Sequence, residues 1–486
     1  MKKSLLVCCL FLATIKAFGQ QFALYNTGTL YDSFENPSQR AFVPDTSKQF
    51  AFNFLIPNFG ANFLFSGHGQ QALISRAFHS YYNTANLVTG AGNYNHIKVN
   101  ANDYIFMFKV YTSEDGDQEM GIALNTRLEG RGIATDESIS FFNGFTKFPQ
   151  NAYANIFNDN YHVQAYHQLS LTYKEQIDKR LSVGIKLSAL AGLYYNEMNI
   201  TQSSVTFNRA QDQARLALTG DFKTNDQSNK SGFDQIFPVL VNPGAAISLG
   251  VTYLDHNGYK WQGNVKNLGF ISWSSTSRTN TYAGTTLINN FSSADREGII
   301  KGSIDSLRQS GQRYHGFVSP TNGLLEISVN KSYWLDEEGK IKFSPTLIGS
   351  KELCYNGFTA ALNAPVQFGK HSVALTSTYD ELKLFNIGLQ YLFKADNAEF
   401  FIGSERIFAT GSFINAALKD GQGPQTQYTT PLKPYTGMDF YIGASFKFGR
   451  LVEHRMNSSG IGPAGEDRGL LGRIWHGLFD KSDPDY

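Results

Sequence analysis

The chain has 486 residues, a formal net charge of +1 and an ordinary hydrophobic content of 42%. So neutral a balance, with no basic stripe interleaved with aromatics, excludes a nucleic-acid surface. The outlying number is the aromatic share, 14%, built from 39 Phe and 25 Tyr but only 4 Trp. A water-soluble core leans on Leu, Ile and Val, whereas a membrane barrel uses rings as lipid-facing bulk and interfacial girdles.

The chain opens with Lys2 and Lys3, an apolar run from Leu5 to Thr14, and the small-x-small site Ala17-Phe18-Gly19. This reads as a secretory signal peptide over residues 1–19. Cys8 and Cys9 lie inside its apolar region, so its removal leaves Cys354 alone and no internal disulfide is expected. No later run of about 18 apolar residues predicts a membrane helix. Residues 20–46 then lead into the first strand, and "FENPSQRAFVPDT" within them carries Asn36 and Pro37.

From there the dominant signal is period-2 alternation, which marks strands with two different faces. Tyr104, Phe106, Phe108 and Val110 alternate with Ile105, Met107 and Lys109. Leu181, Val183, Ile185 and Leu187 alternate with Ser182, Gly184, Lys186 and Ser188. Phe440, Ile442, Ala444, Phe446 and Phe448 alternate with Tyr441, Gly443, Ser445 and Lys447. The full pattern predicts strands at 47–65, 102–112, 119–129, 162–176, 180–195, 243–254, 259–273, 323–334, 340–349, 353–366, 371–379, 383–394, 398–406 and 437–449. That makes fourteen, an even number. Several are about ten residues long, the length with which a tilted strand crosses a bilayer.

Every second connection is a tight polar turn, as at Asp255 to Gly258 and Ala395 to Asn397, whereas the long segments 66–101, 130–161, 196–242, 274–322 and 407–436 all fall on the opposite end. A soluble sandwich gives no reason for that asymmetry. Short periplasmic turns with long extracellular loops are the mark of an outer-membrane barrel. The expected fold is therefore an all-β transmembrane antiparallel barrel over residues 47–449. Arg127, Glu129, Lys186, Asn264 and Lys266 sit on the polar faces of their strands and are expected to face the lumen.

Two helices are expected outside the strands. Ser292 to Gly311 carries Ser293 as its cap and Ile300, Ile304 and Leu307 at helical spacing. It is expected to pack over the barrel mouth. At the C-terminus, residues 450–486 comprise a Gly/Pro/Ser-rich linker and an amphipathic helix with Leu470, Leu471, Ile474, Trp475, Leu478 and Phe479 on one stripe. Such a helix suits a membrane surface or a partner's groove. Because the last strand ends inside, it is expected in the periplasm.

"YHQLSLTYKEQIDKRLSVGIKLSALAGLYYN" (Tyr166 to Asn196) and "NPGAAISLGVTYLDHNGYKWQGNVKNLGFISW" (Asn242 to Trp273) resemble an outer-membrane β-barrel family of Bacteroidota known as a domain of unknown function. The ending Leu268, Gly269, Ile271 and Trp273 is part of the likeness. The sequence also resembles, more loosely, the fatty-acid-transporter barrels, which have fourteen strands and an Asn-Pro-Ala segment in an N-terminal hatch that plugs the lumen. Here Asn36, Pro37 and Ser38 stand at that place, with Ser38 departing from the pattern. The resemblance implies a hatch over the N-terminal segment.

No motif calls for catalysis, a cofactor or a metal. Asp115 opens an EF-hand-like stretch whose twelfth position is Thr126, not a carboxylate. His162 and His167 are an odd number apart and fall on opposite faces of a strand. No Gly-x-Ser-x-Gly elbow is present. Two functions are expected to compete. One is a plugged transport barrel for small amphipathic or hydrophobic compounds. The other is a non-conducting interaction barrel of a surface or secretion assembly. Outer-membrane lipid surrounds either one, and a periplasmic protein is a candidate partner for the C-terminal helix.

Overall fold

The alternating segments form fourteen antiparallel strands closed into one barrel. The first is β1, interrupted, over Phe50–Phe52 and Asn58–Ser66, followed by β2 (Tyr94–Tyr111), β3 (Gln118–Thr135), β4 (Asn160–Gln176) and β5 (Leu181–Asn208). Then come β6 (Pro243–Leu254), β7 (Tyr259–Trp273), β8 (Phe317–Pro320 with Leu324–Lys331), β9 (Ile341–Phe343 with Thr346–Glu352) and β10 (Phe358–Phe368). The last four are β11 (His371–Asp380), β12 (Phe385–Lys394), β13 (Ala398–Ser404) and β14 (Tyr435–Phe448). Each pairs with its predecessor, and β14 returns to β1 with Phe59 opposite Ile442 and Phe50 opposite Phe448. The computed structural model describes residues 25–41, 48–79, 82–111, 117–226, 241–311, 313–418, 435–449 and 470–471. The expected signal peptide lies outside the described residues, as do Ile474, Trp475, Leu478 and Phe479. Of the C-terminal stripe, Leu470 is exposed, while Leu471 is part-buried and donates its backbone N–H to Glu175 Oε2 at 2.8 Å.

The two faces of the wall are inverted relative to a water-soluble protein. Leu171, Leu187, Leu249, Ile327, Leu347, Leu375 and Leu389 stand exposed on the outside. Their neighbours Thr172, Lys186, Ser248, Glu326, Ser328, Thr376 and Gln390 are buried on the inside. Exposed leucine over buried lysine is stable only where the outer solvent is hydrocarbon and the interior is polar. Closure matters for the same reason, because an unpaired strand edge in lipid leaves backbone groups unsatisfied.

The closing strand is interrupted near the turn end, between the two halves of β1. Phe54 and Leu55 there adopt φ of 49° and 59°. The Asn53 side chain substitutes for the missing ladder: its Nδ2 donates to Ile56 O, Tyr104 O and Ile105 O, and its Oδ1 accepts from Met107 N at 3.0 Å. Asn58 Oδ1 accepts from Ala444 N at 2.7 Å on the other side.

The N-terminal segment lies within the ring. Its helix α1 (Leu30–Glu35) is buried at every residue. On the loop end, α2 (Gln70–His79) follows β1 and α3 (Asp136–Phe141) follows β3. Segments 196–242 and 274–322, expected as loops, contain two further long strands. β5 runs well past the wall, and Gln213–Asp226 pairs back along its outer half. Arg278–Asn289 then pairs with that strand. The even positions Ala214, Leu216, Leu218 and Phe222 are buried, so the alternation exists but serves a subdomain rather than a bilayer crossing. Helix α4 (Arg296–Gln309) closes over this sheet, packing Ile300 and Leu307 into a core with Phe141, Phe148, Phe207 and Phe291. Its N-cap is Asp295 rather than Ser293, whose N–H is used in the preceding turn to Asn290 O.

The inverted wall gives a direct test. Leu375→Arg, in mid-strand opposite Leu389, should destabilise the barrel in lipid by about 2–4 kcal/mol, against about 0–1 kcal/mol for Tyr333→Arg near the turn end. Urea unfolding of protein in vesicles reads the difference, and equal costs would refute the lipid-facing assignment of Leu375.

Candidate functional site

The short helix α1 is held at its start by local caps. Thr29 Oγ1 accepts from Asp32 N at 3.2 Å, while the Asp32 carboxylate accepts from Gly28 N at 3.0 Å and from the Thr27 hydroxyl at 2.5 Å. The helix end then places Glu35 at the centre of the barrel. Glu35 Oε1 accepts from Asn102 Nδ2 at 2.9 Å, Tyr104 OH at 2.7 Å and Arg127 Nη2 at 2.5 Å. Its Oε2 lies 3.1 Å from Lys266 Nζ, which in turn lies 3.0 Å from Glu326 Oε1. Asn264 Nδ2 donates to Glu35 O at 3.1 Å and to Glu326 Oε2 at 3.0 Å, and Lys186 Nζ donates to Phe34 O at 3.0 Å. Burial alone would push the Glu35 carboxyl up, but Arg127, Lys266 and Lys186 overcome it and hold the group well below the usual carboxylate range.

Below Glu35 the segment is fastened to further strands. Glu119 sits between Lys109 and Lys174 at 3.7 and 3.6 Å and accepts from Ala41 N at 3.2 Å, while Lys109 Nζ donates to Ser33 O at 3.1 Å. Leu30 N donates to Glu399 Oε1 at 2.6 Å, and Lys394 Nζ donates to the carbonyls of Thr27 and Gly28, each at 2.6 Å. Between these polar ties lies a small apolar cluster in which Leu30, Tyr31 and Phe34 meet Tyr104, Met107 and Phe401.

Asn36, Pro37 and Ser38 occupy a slot cut by two glycines. Gly184 on β5 and Gly250 on β6 are register partners. A Cβ on Gly184 would stand 2.1 Å from Pro37 O, and one on Gly250 would stand 2.4 Å from Asn36 Oδ1. Asn36 Oδ1 accepts from Ser38 N at 3.2 Å and from Ser38 Oγ at 2.8 Å. The Ser38 hydroxyl also lies 2.8 Å from Thr252 Oγ1.

Of the five polar wall residues singled out from the sequence, Arg127, Lys186, Asn264 and Lys266 converge on Phe34 and Glu35. Glu129 does not join them. It accepts from Gln164 Nε2 at 2.8 Å, Tyr166 OH at 2.6 Å and Asn322 N at 3.0 Å, binding β8 inward on the loop side. Sequence reasoning missed Glu35, Gly184 and Gly250 as site residues. The signal for Glu35 was charge imbalance: the wall positions named three cations and one acid, and an acid precedes Asn36 directly.

On the turn side of α1 lies a chamber of about 470 Å³, lined by Tyr25, Lys260, Trp334, Lys342, Asn363, Gln390, Leu392 and Lys394 among others. A much smaller cleft of about 30 Å³ lies on the loop side, between Asn62, Lys98, Glu352, Asp380 and Arg406. The chamber borders the start of the N-terminal segment at Tyr25, Asn26 and Thr27, whereas the cleft is lined by residues of the wall and its connections. His162 faces inward against Tyr195 and Tyr355, while His167 takes the other face beside Thr126 Oγ1 at 2.9 Å.

Residues 41–405 match a family described as a family of unknown function, DUF5723. No curated protein matches the chain. Among solved structures, the chain is similar to a Pseudomonas aeruginosa FadL homologue at 10% identity, covering 89% of this chain and 96% of that one, with a TM-score of 0.39. It is also similar to the Pseudomonas putida toluene transporter TodX at 9% identity, covering 89% and 94%, with a TM-score of 0.38. The translocator domain of the autotransporter NalP from Neisseria meningitidis follows at 7% identity, covering 84% and 91%, with a TM-score of 0.26.

Two outcomes are expected. Gly184→Ala should leave the barrel folded but expel Asn36–Ser38 from their slot, so that a cysteine placed at Ser38 becomes rapidly labelled; unchanged protection would refute the slot. Glu35→Gln should weaken docking of the segment by about 3–5 kcal/mol, because Arg127 and Lys266 lose their buried counter-charge. A depressed folded pKa means that this stabilisation is present above the unfolded value and is lost only as pH falls through the folded one. Labelling of the wild-type segment should therefore not rise between pH 7 and pH 5.

Proposed function

We propose that this chain, which belongs to the DUF5723 family of unknown function, is an outer-membrane transport barrel plugged by its own N-terminal segment. Its cargo is taken to be small amphipathic or hydrophobic compounds. The observation that carries the reading is a separate peptide inside the ring with a cavity beside it. The segment is fastened by Glu35, Asn36 and Pro37, and its start borders a turn-side chamber of about 470 Å³. A barrel that served only as a scaffold could fill its interior with wall side chains. A detachable segment with a chamber behind it is what a gated passage requires. Mixed lining, with Lys260 and Asn363 beside Trp334 and Leu392, fits a compound with a polar end and an apolar end.

Export through the signal peptide, residence in the outer membrane of a Bacteroidota cell, and periplasmic placement of the C-terminal helix belong to the same reading. No catalytic role is assigned. The folded loop-end subdomain with its own aromatic core favours a second reading, a non-conducting interaction barrel that presents this platform to partners.

Planar-bilayer recording of the full chain and of a variant lacking residues 25–41 separates the two. Transport with a plug predicts a nearly silent wild type and a clear rise in conductance on deletion. If the deletion variant is folded, shown by heat-modifiable gel mobility, and still silent, the passage does not exist and the interaction reading stands.

A further inference from the structure

We propose that the turn-end chamber binds the anionic head group, a carboxylate or a phosphate, of a small amphipathic compound; the proposal deepens the transport reading and rests on it. The chamber wall presents Lys260, Lys342, Lys370 and Lys394, and no carboxylate lines it among the described residues. Each lysine stands close to a tight turn: Lys260 at the start of β7, Lys342 at the start of β9, Lys370 between β10 and β11, and Lys394 at the end of β12. Inward parity of the wall therefore brings them to one level of the barrel. Lys394 is committed to the carbonyls of Thr27 and Gly28. Lys260, Lys342 and Lys370 make no ion pair with any described residue, whereas Arg127, Lys174 and Lys447 elsewhere in the interior pair with Glu35, Glu119 and Glu399.

A second, independent observation points to a ligand. Asn363 is 1% exposed and Gln390 3% exposed, and both line the chamber. Asn363 Nδ2 and Gln390 Oε1 have no hydrogen-bond partner. A buried polar group left unpaired is costly, so its presence in a cavity wall marks a place where something polar docks. An anionic head group accepts from Asn363 Nδ2 and from the lysine ammonium groups together, which relieves their mutual repulsion. Gln390 Oε1 is left to accept from a hydroxyl of the same compound. Trp334 and Leu392 supply the apolar surface for its tail, and the volume suits a ligand of that size.

The test is calorimetric titration of the full chain in neutral detergent with decanoate, decanol and inorganic phosphate. Decanoate is expected to bind. The double variant Lys260→Gln, Lys342→Gln should lose at least about tenfold in decanoate affinity, the cost of removing charge-assisted contacts, with decanol unaffected. Heat-modifiable mobility checks that the variant is folded. Decanoate affinity unchanged in the double variant, or decanol binding as tightly as decanoate, overturns the proposal. Inorganic phosphate binding as tightly as decanoate overturns its amphipathic half and leaves a free-anion site. Vesicle flux of decanoate through the variant lacking residues 25–41 separates the two levels. Lysine-dependent binding without flux ends the transport reading and leaves the site, whereas flux without lysine-dependent binding ends the site and leaves the reading.

Discussion

Everything in this molecule depends on the closure of the ladder between β14 and β1. In a hydrocarbon surrounding there is no water to satisfy an open strand edge, so the ring either closes or fails. The closing strand is itself broken. Asn53 and Asn58 carry the hydrogen bonding across the break, with Asn53 alone making four contacts to the β1 break and β2. Two asparagine side chains thus bridge the bend in β1, where Phe54 and Leu55 stand exposed outside.

Once the ring is closed, its interior must be reconciled with the charges that the inner positions carry. Lysine and arginine facing inward would repel one another in a medium of reduced polarisability. Glu35 answers this from outside the wall, by entering on a separate segment and drawing Arg127 and Lys266 to a single carboxylate. The interior charges and the N-terminal segment therefore depend on each other. The wall without Glu35 holds uncompensated cations, and the segment without the wall is a short helix of six residues that could not persist alone. Gly184 and Gly250 complete the fit by yielding the space of two side chains to the backbone of Pro37 and the side chain of Asn36.

The two ends of the barrel are built on different principles. The turn end is closed by short connections and is rich in lysine. The loop end carries a folded subdomain, in which β5 extends beyond the wall and recruits two more strands and α4 around a cluster of phenylalanines. Part of the unusual aromatic content is accounted for there, away from lipid. Rings such as Phe141, Phe207 and Phe291 pack tilted against each other, with centroids 4.8 to 6.3 Å apart.

Strand number, the period-2 faces and the asymmetry of connections were all determined by the sequence itself, because each is a local property of consecutive residues. The fourteen wall strands follow the alternation closely, as β6 and β7 do to the residue. Asn36 and Pro37 stood out in the sequence only through a likeness to the transporter hatch and their place before the first strand. What the sequence left open was which distant groups share a point in space. That Arg127, Lys186, Asn264 and Lys266 converge on Phe34 and Glu35 depends on barrel radius, strand tilt and the path of a separate segment, none of which is written in any local pattern. That Gln213–Asp226 builds a loop-end subdomain rather than another crossing was decided likewise, by its pairing with the outer half of β5. Alternation tells a strand which side faces the apolar phase; only the closed tertiary structure decides whether that phase is lipid or a cluster of other side chains.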